Sequence, residues 1–345
     1  MRILIDIGHP AHVLFFKNSI HLLKQQGHQV LVTSREKDIT NVLLGKLGIE
    51  YISLSTQGDG SVISLAKELI VRNFKLYQQV KIFRPDVMAA IGGIFISHVG
   101  KLTGIPALVF YDTENATLQN ALTYPFSSCV IVPRCYQGWL PKKRSLSYAG
   151  YHELSYLSPE YFTPDKRKAI KNGLSETRNT FFIRIVSWQA NHDIGEHGWD
   201  YELLDWVIEK LSPEGKIIIS SEKVLPQQYS EYFYTGDLAD VHHLMAYCRA
   251  FIGESATMAS ESAILGVPAI YAAITGRGYT DEQEARYGLV RNVRILNKTN
   301  IDEAIIWALN LKKQDVKLNK ERLLSDTIDV VEFVVEKIKT YAKKS

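Results

Sequence analysis

With 345 residues, 46% of them hydrophobic and 22% charged, the chain is long and apolar enough for two domain cores, which excludes a disordered, collagen-like or coiled-coil polypeptide. Forty basic residues against 37 acidic ones leave a net charge of +3, so no dominant positive field calls for nucleic acid. Three scattered cysteines, Cys129, Cys135 and Cys248, make no disulfide framework or thiolate metal site and suit a reducing compartment.

Asp6 interrupts the opening before any signal-length apolar run, and no apolar stretch reaches about 18 residues, so a cytoplasmic protein without a membrane span is expected. Short apolar runs at Ile3 to Ile5, Val30 to Thr33 and Tyr51 to Leu54 alternate with helix-like stretches, Val13 to Leu23 and another ending at Leu47. Strand, helix, strand in this rhythm predicts a parallel sheet with crossover helices. Further strands are predicted at Val87 to Ile91, Ala107 to Tyr111, Val130 to Val132 and Leu146 to Ala149, about seven in a first domain over residues 1–152.

Residues 153–178 lose the periodicity and read as the interdomain connection. The alternation restarts at Phe181 to Val186 and continues through Ile217 to Ser220, Tyr232 to Tyr234, Ala250 to Ile252, Pro268 to Tyr271 and Leu289 to Val293. A second doubly wound domain is therefore expected over 179–325. Residues 326–345 read as a C-terminal helix and basic tail, with Ile328, Val331, Val334, Val335 and Ile338 on one stripe. The fold class predicted is α/β: two Rossmann-like doubly wound domains facing a cleft, with the last helix packing back on the first. Ligands of such sheets bind outside the carboxyl ends of the strands, so the loops after each strand are where chemistry is expected.

Four segments occupy such loops. In Gly253-Glu254-Ser255-Ala256-Thr257-Met258 a strand ends in a small polar turn, Ser255 can cap a helix beginning at Ala256, and Gly266 can end it. A helix start favours an anion by about 0.3 to 1 kcal/mol from its dipole, before direct hydrogen bonds. Thr257 and Glu261, four apart, share a face, so Glu261 can reach a ribose while the turn holds a diphosphate; an ordinary strand-turn-helix unit with Glu261 in solvent is the alternative.

The opening loop Gly8-His9-Pro10-Ala11-His12 places His12 near a helix start, where an imidazole can accept a proton near neutrality, and His9 is its rival; both also suit capping or packing. Gly92-Gly93 permits close approach of a ligand to backbone or a tight turn. Asp112 and Glu114 straddle the end of a buried strand, where carboxylates are costly unless solvated, paired or functional, and suit catalysis or acceptor binding.

The order Gly92-Gly93 to Ser97, Gly104-Ile105-Pro106, Glu114-Asn115, Pro133, Ser260-Glu261, Gly266-Val267-Pro268-Ala269 and Asp281-Glu282-Gln283 resembles the peptidoglycan N-acetylglucosaminyltransferases that make lipid II. Those enzymes have two Rossmann-like domains, the glycosyltransferase-B fold. The opening Asp6-Ile7-Gly8-His9-Pro10-Ala11-His12 and the run Ser187-Trp188-Gln189-Ala190-Asn191-His192-Asp193 look closer to an uncharacterised archaeal and bacterial family of that fold, catalogued as a domain of unknown function.

The resemblance implies a donor site in which Glu261 binds the ribose, Ser255, Ala256 and Thr257 hold the diphosphate, and Asp281 and Gln283 read the sugar. It also puts His12 where the fold often places its base. Arg184 and Arg277 are candidates for neutralising the leaving diphosphate, Arg184 equally for a structural ion pair, and Trp188 for donor contact. Gly92, Gly93 and Asn115 are expected at the acceptor. Two glycine-rich loops of the lipid II enzymes are replaced here, by Gly8 to His12 and by Trp188 to Asn191, which bears on the donor's identity.

No resident cofactor is expected, the nucleotide sugar, UDP-linked on this resemblance, being substrate. Asp-x-Asp is absent, and His192, His197, His242 and His243 lack the spacing of a metal site, so no metal is expected. Tyr136 to Arg144 joins aromatics to a basic cluster that can rest on an anionic membrane surface beside a lipid-linked acceptor, or form a solvated loop. The leading expectation is a metal-independent glycosyltransferase working on a glycan or lipid-linked acceptor. A nucleotide-sugar 2-epimerase, to which the resemblance is weaker, and a non-catalytic sugar-nucleotide sensor are the alternatives.

Overall fold

The computed structural model describes residues 1–36, 39–56, 62–187 and 198–342. The chain divides into two compact units, the first made of Met1–Tyr156 with Ile328–Ser345 and the second of Leu157–Thr327.

In the first unit β1 (Arg2–Ile7), α1 (Pro10–Gln25), β2 (Gln29–Glu36), α2 (Thr40–Lys46), β3 (Tyr51–Thr56), α3 (Val62–Phe83), β4 (Val87–Ile91), α4 (Ile94–Thr103), β5 (Ala107–Phe110), α5 (Thr117–Thr123), β6 (Cys129–Pro133) and β7 (Ser145–Tyr148) alternate along the chain. The strands form one parallel sheet in the order β3-β2-β1-β4-β5-β6-β7. Ile3, Leu4, Ile5 and Ile7 on β1 are all buried, as a central strand covered by helices on both faces requires. Leu4 lies opposite Leu31 and Met88 and joins Leu76, Val80, Ile96 and Val99 in a core beneath α3 and α4. Each such side chain contributes about 1.5–3 kcal/mol on burial. The order reverses between β1 and β4, so the loops after those two strands flank the topological switch point.

The short helix α6 (Leu154–Leu157) leads out of this unit. The second unit runs α7 (Lys166–Lys171), β8 (Asn179–Ile185), α8 (Tyr201–Leu211), β9 (Gly215–Ser221), α9 (Val241–Met245), β10 (Ala250–Gly253), α10 (Ala256–Leu265), β11 (Ala269–Ala272), α11 (Gly278–Tyr287), β12 (Val290–Val293), α12 (Lys298–Asn310) and α13 (Lys313–Ser325). Its five strands are parallel in the order β12-β11-β10-β8-β9, with the switch point between β8 and β10. Phe181, Ile183, Val207, Ile217, Ile252, Ile270 and Ile301 fill its core.

Three expectations change. Tyr232 to Tyr234 is not a strand: a 3-10 helix spans Gln227–Tyr232, and a single bridge joins Phe233 to Ile219. Its aromatics anchor a loop, since the Tyr234 hydroxyl donates to the Asp237 carbonyl at 2.7 Å and lies 3.2 Å from Asn172 Oδ1. Most of the expected connection belongs to the second unit, where α7 packs on α9 and the Asp165 amide donates to His243 Nδ1. The last helix, α14 (Val330–Ala342), packs on α1 and β4 through Val331, Val334, Val335 and Ile338, but Ile328 precedes it and is exposed.

Candidate functional site

At the switch point of the first unit, His9 is the N-cap of α1, its Nδ1 accepting the Ala11 amide at 3.2 Å, and Pro10 opens the helix. His12, one turn on, accepts the Gly8 amide at Nδ1, also at 3.2 Å. In a neutral imidazole this places the proton on Nε2, so in this arrangement Nδ1 of each ring is engaged by backbone. Across the switch point Gly92 and Gly93 hold φ of 71° and 54°, and a Cβ on Gly93 would come within 2.7 Å of Val109. Their glycine identity answers to the left-handed turn into α4.

Asp112 follows β5. Its Oδ1 accepts the Thr113 hydroxyl at 3.1 Å, and its Oδ2 lies 3.1 Å from Nδ1 of His152, a residue no local pattern in the sequence singles out. The Asp112 side chain is 19% exposed and that of His152 7%. Glu114 and Asn115 sit half-buried in the following turn, where the Asn115 carbonyl accepts the Thr117 amide. Burial pushes the phenols of Tyr124, Tyr136 and Tyr148 up, and the charge of Asp112 adds to the rise in each.

In the second unit Ser255 caps α10 as its spacing predicts, Oγ accepting the Met258 amide at 3.3 Å, and Gly266 ends the helix at φ 81°. Ala256 and Thr257 form the first turn, Thr257 half-buried. Every residue from Ala259 to Leu265 is buried, because α10 is enclosed by β10, β11, α9, α11 and α13. Glu261 is therefore inside, not in solvent: its side chain is 5% exposed, and Oε1 lies 2.9 Å from His242 Nε2 on α9.

Gln283 is fully buried and donates from Nε2 to Ser260 Oγ at 2.8 Å, which ties α11 to α10, while its Oε1 has no hydrogen-bond partner among the described residues. Asp281 pairs with Arg294. Arg277 is buried, Nη1 donating to the Gly276 carbonyl at 2.8 Å. Arg184 donates to Ser220 and pairs with Glu222, the structural alternative for this residue. Trp188 lies outside the described residues, as do Gln189, Ala190, Asn191, His192, Asp193 and His197. Sequence reasoning passed over Glu254, at the carboxyl end of β10. Its two oxygens accept the amides of Val186 at 2.8 Å and Trp199 at 2.6 Å, tying both ends of the loop after β8 to the switch point.

Among the described residues no three His, Cys, Asp or Glu side chains gather as a metal site. His242 faces Glu261 and His243 faces the Asp165 amide. In the aromatic and basic loop, Trp139 stacks on Tyr124 while 60% exposed, and Arg144 is engaged with the carbonyls of Pro125 and Ser127. No helix among the described residues is long and apolar enough to cross a membrane.

Residues 1–343 match the family described as "Protein of unknown function (DUF354)". An uncharacterized protein of Methanocaldococcus jannaschii is 23% identical over 282 residues, covering 77% of this chain and 80% of that protein. Among solved structures, the chain is similar to the UDP-GlcNAc 2-epimerase of Neisseria meningitidis bound to UDP-GlcNAc, at 12% identity and a TM-score of 0.69, with all of both chains covered. It is also similar to MurG of Acinetobacter baumannii, at 16% identity and a TM-score of 0.58, over 99% of this chain and 100% of that one. These likenesses and the two parallel sheets show the glycosyltransferase-B fold.

Proposed function

Because the chain belongs to the DUF354 family and shares its fold with proteins that handle nucleotide sugars, we propose that it is a metal-independent glycosyltransferase. It moves a sugar from a nucleotide donor, UDP-linked by analogy with the bound UDP-GlcNAc of its structural relative, to a glycan or lipid-linked acceptor. The observation that carries this reading is the turn at the second switch point, where Ser255 caps the ten-residue α10 and Glu261 stands one turn beyond Thr257. The start of α10 offers its dipole and amides to the diphosphate, and the Glu261 carboxylate, steadied by His242, offers an acceptor to a ribose hydroxyl.

In transfer, the acceptor hydroxyl gives its proton to a base as its oxygen bonds the anomeric carbon. The bond from that carbon to the diphosphate breaks, leaving its electron pair on the diphosphate oxygen. With Nδ1 of both His9 and His12 taken by backbone amides, Asp112 is our candidate for that base in the first unit. Surface-polysaccharide or glycoconjugate assembly on the cytoplasmic side of a membrane, with Tyr136 to Arg144 near the lipid surface, is the setting this reading implies.

A second reading, a nucleotide-sugar 2-epimerase, is favoured by the same carboxylate and by the likeness to the Neisseria enzyme. UDP-, GDP-, CMP- and TDP-sugars, each with and without glycan and polyprenyl acceptors and with EDTA present, decide among the readings. Acceptor-dependent transfer that survives EDTA supports the proposal; epimerisation without acceptor replaces it with the second reading. Binding with neither leaves a sensor.

A further inference from the structure

We propose that His152 is the positioning residue of the first unit's proton acceptor: its Nδ1–H holds Asp112 ionised and fixes which oxygen faces substrate. The role deepens the enzyme reading and rests on it. Three observations carry it.

The first is the direction of the pair. His152 is the deep partner and Asp112 the outer one, 7% against 19% exposed, with Nδ1 and Oδ2 3.1 Å apart. When the bridging proton sits on Nδ1, Nε2 is a bare acceptor, and Nε2 is buried without a hydrogen-bond partner. An imidazolium there would bury an N–H donor with nothing to receive it, so the geometry favours a neutral ring that donates from Nδ1 to a carboxylate.

The second is the care with which the ring is held. His152 lies beyond β7, and its carbonyl accepts both the amide and the hydroxyl of Ser155, at 3.1 and 2.7 Å. The Ser155 carbonyl in turn accepts Asn18 Nδ2 of α1 at 2.7 Å. From the same helix, the Phe15 ring lies 4.5 Å from the imidazole. The helix that begins at the switch point thus buttresses the imidazole behind Asp112.

The third is what else faces the carboxylate. Thr113 donates to Oδ1. Tyr148 on β7, Tyr124 after α5 and Tyr136 after β6 feel its charge, together with that of Glu153 and Cys135 at Tyr148 and of Glu114 at Tyr136. The charge of Asp112 and burial keep these phenols neutral, so what can repel an ionised Asp112 is the neighbouring carboxylates, Glu114 and Glu153. The imidazole hydrogen bond works the other way. A structural pair alone would serve as well with the carboxylate buried deepest, the opposite of what is seen.

The test begins with the unsubstituted protein. Nitrogen-15 NMR of labelled histidine should show His152 protonated at Nδ1 and bare at Nε2; the opposite tautomer overturns the proposal. Carbon-13 titration of Asp112 should then show its pKa rise by about one unit in His152→Leu, which lacks the donor. His152→Asn, whose amide overlies Nδ1, should restore the lower value. An unmoved Asp112 in folded His152→Leu overturns the proposal.

With substrate, the acid limb of the kcat profile should move in step while KM and nucleotide Kd hold, whereas a raised KM with an unmoved profile marks a merely structural residue and also overturns it. If no nucleotide sugar is turned over although Asp112 shifts as stated, the enzyme reading has failed and the pair stands as electrostatics without catalysis.

Discussion

Each unit of this molecule pairs a carboxylate with an imidazole, but the two pairs are built in opposite senses. In the first unit Asp112 sits in a loop at a strand end with its imidazole beneath it, 19% against 7% exposed. In the second, Glu261 lies in the middle of a buried helix and its imidazole is the outer partner, 5% against 11% exposed. On the proposed reading, a carboxylate with a wet side can exchange a proton with substrate, whereas one closed in at the centre of a unit can only accept hydrogen bonds. The difference separates a group suited to chemistry from one suited to binding, although both are acids beside histidines.

The largest effect that would break this comparison is expected at Asp112. Asp112→Asn keeps the shape and removes the basicity, so turnover should fall by about 10²- to 10⁴-fold, the usual range for general-base help. Nucleotide affinity should not move, because the proposed donor turn belongs to the other unit. Stopped assays with the cognate sugar nucleotide and calorimetry on the same preparation check both halves, and unchanged turnover removes the proton-handling role.

Glu261 should answer in the reverse way. Glu261→Gln keeps the fill of the helix face and weakens nucleotide binding by about 1.5 to 3 kcal/mol, the range for a hydrogen bond to a charged group, with turnover at saturation retained. Glu261→Ala should also lose stability, since His242 is left buried without its carboxylate. Calorimetric titration with the nucleotide showing equal affinity for the parent and Glu261→Gln would assign Glu261 to structure alone.

Why one partner of each pair was visible in the sequence and the pairing itself was not is a matter of range. Asp112 stood out because a carboxylate at the end of the buried run Ala107 to Phe110 demands a reason, and that is a local fact. His152 is forty residues away on another strand end, and no spacing rule links the two. Ser255 and Gly266 were legible as helix caps because capping is local too. The burial of Glu261 was not, since Ala256 to Leu265 has no apolar stripe to show which face is covered when all of it but Thr257 and Met258 is buried. Gln283 was carried to a sugar by resemblance, and its bond to Ser260 across α10 and α11 is a long-range contact that no spacing rule announces. The alternation of strands and helices was read correctly through both sheets except at Tyr232 to Tyr234, where aromatics that pin a loop imitated a strand.

A smaller effect sharpens the account of the first unit. On the proposal that Asp112 is the base, His12→Ala should leave turnover within about tenfold of the parent, since the bond its Nδ1 accepts from Gly8 gives it a structural role at the switch point. Its cost should fall on stability instead, about 0.5 to 1.5 kcal/mol for one lost hydrogen bond. Parallel denaturation and rate measurements test this, and a loss near 10²-fold with intact stability would restore His12 as the base.

The smallest expected effect tests whether acid reaches the second unit through its histidines. Burial first, and the charge of Lys168 next, lower the pKa of His243, whose Nδ1 accepts the Asp165 amide at 3.0 Å. An unfolded chain therefore takes up this proton at the ordinary histidine value near 6.5, before the folded chain does. The stability His243 contributes is then present above about pH 6.5 and is lost as pH falls from there through the lower folded value. His243→Asn keeps an acceptor for Asp165 without titrating, so it should flatten that part of the slope and leave stability at pH 8 nearly unchanged. Four of the five tryptophans lie between Leu157 and Thr327, so denaturant melts followed by tryptophan fluorescence report mainly on this unit. Equal slopes for parent and variant between pH 8 and 5 would place the acid response elsewhere, and the contrast between the units would then have to rest on Asp112 and Glu261 alone.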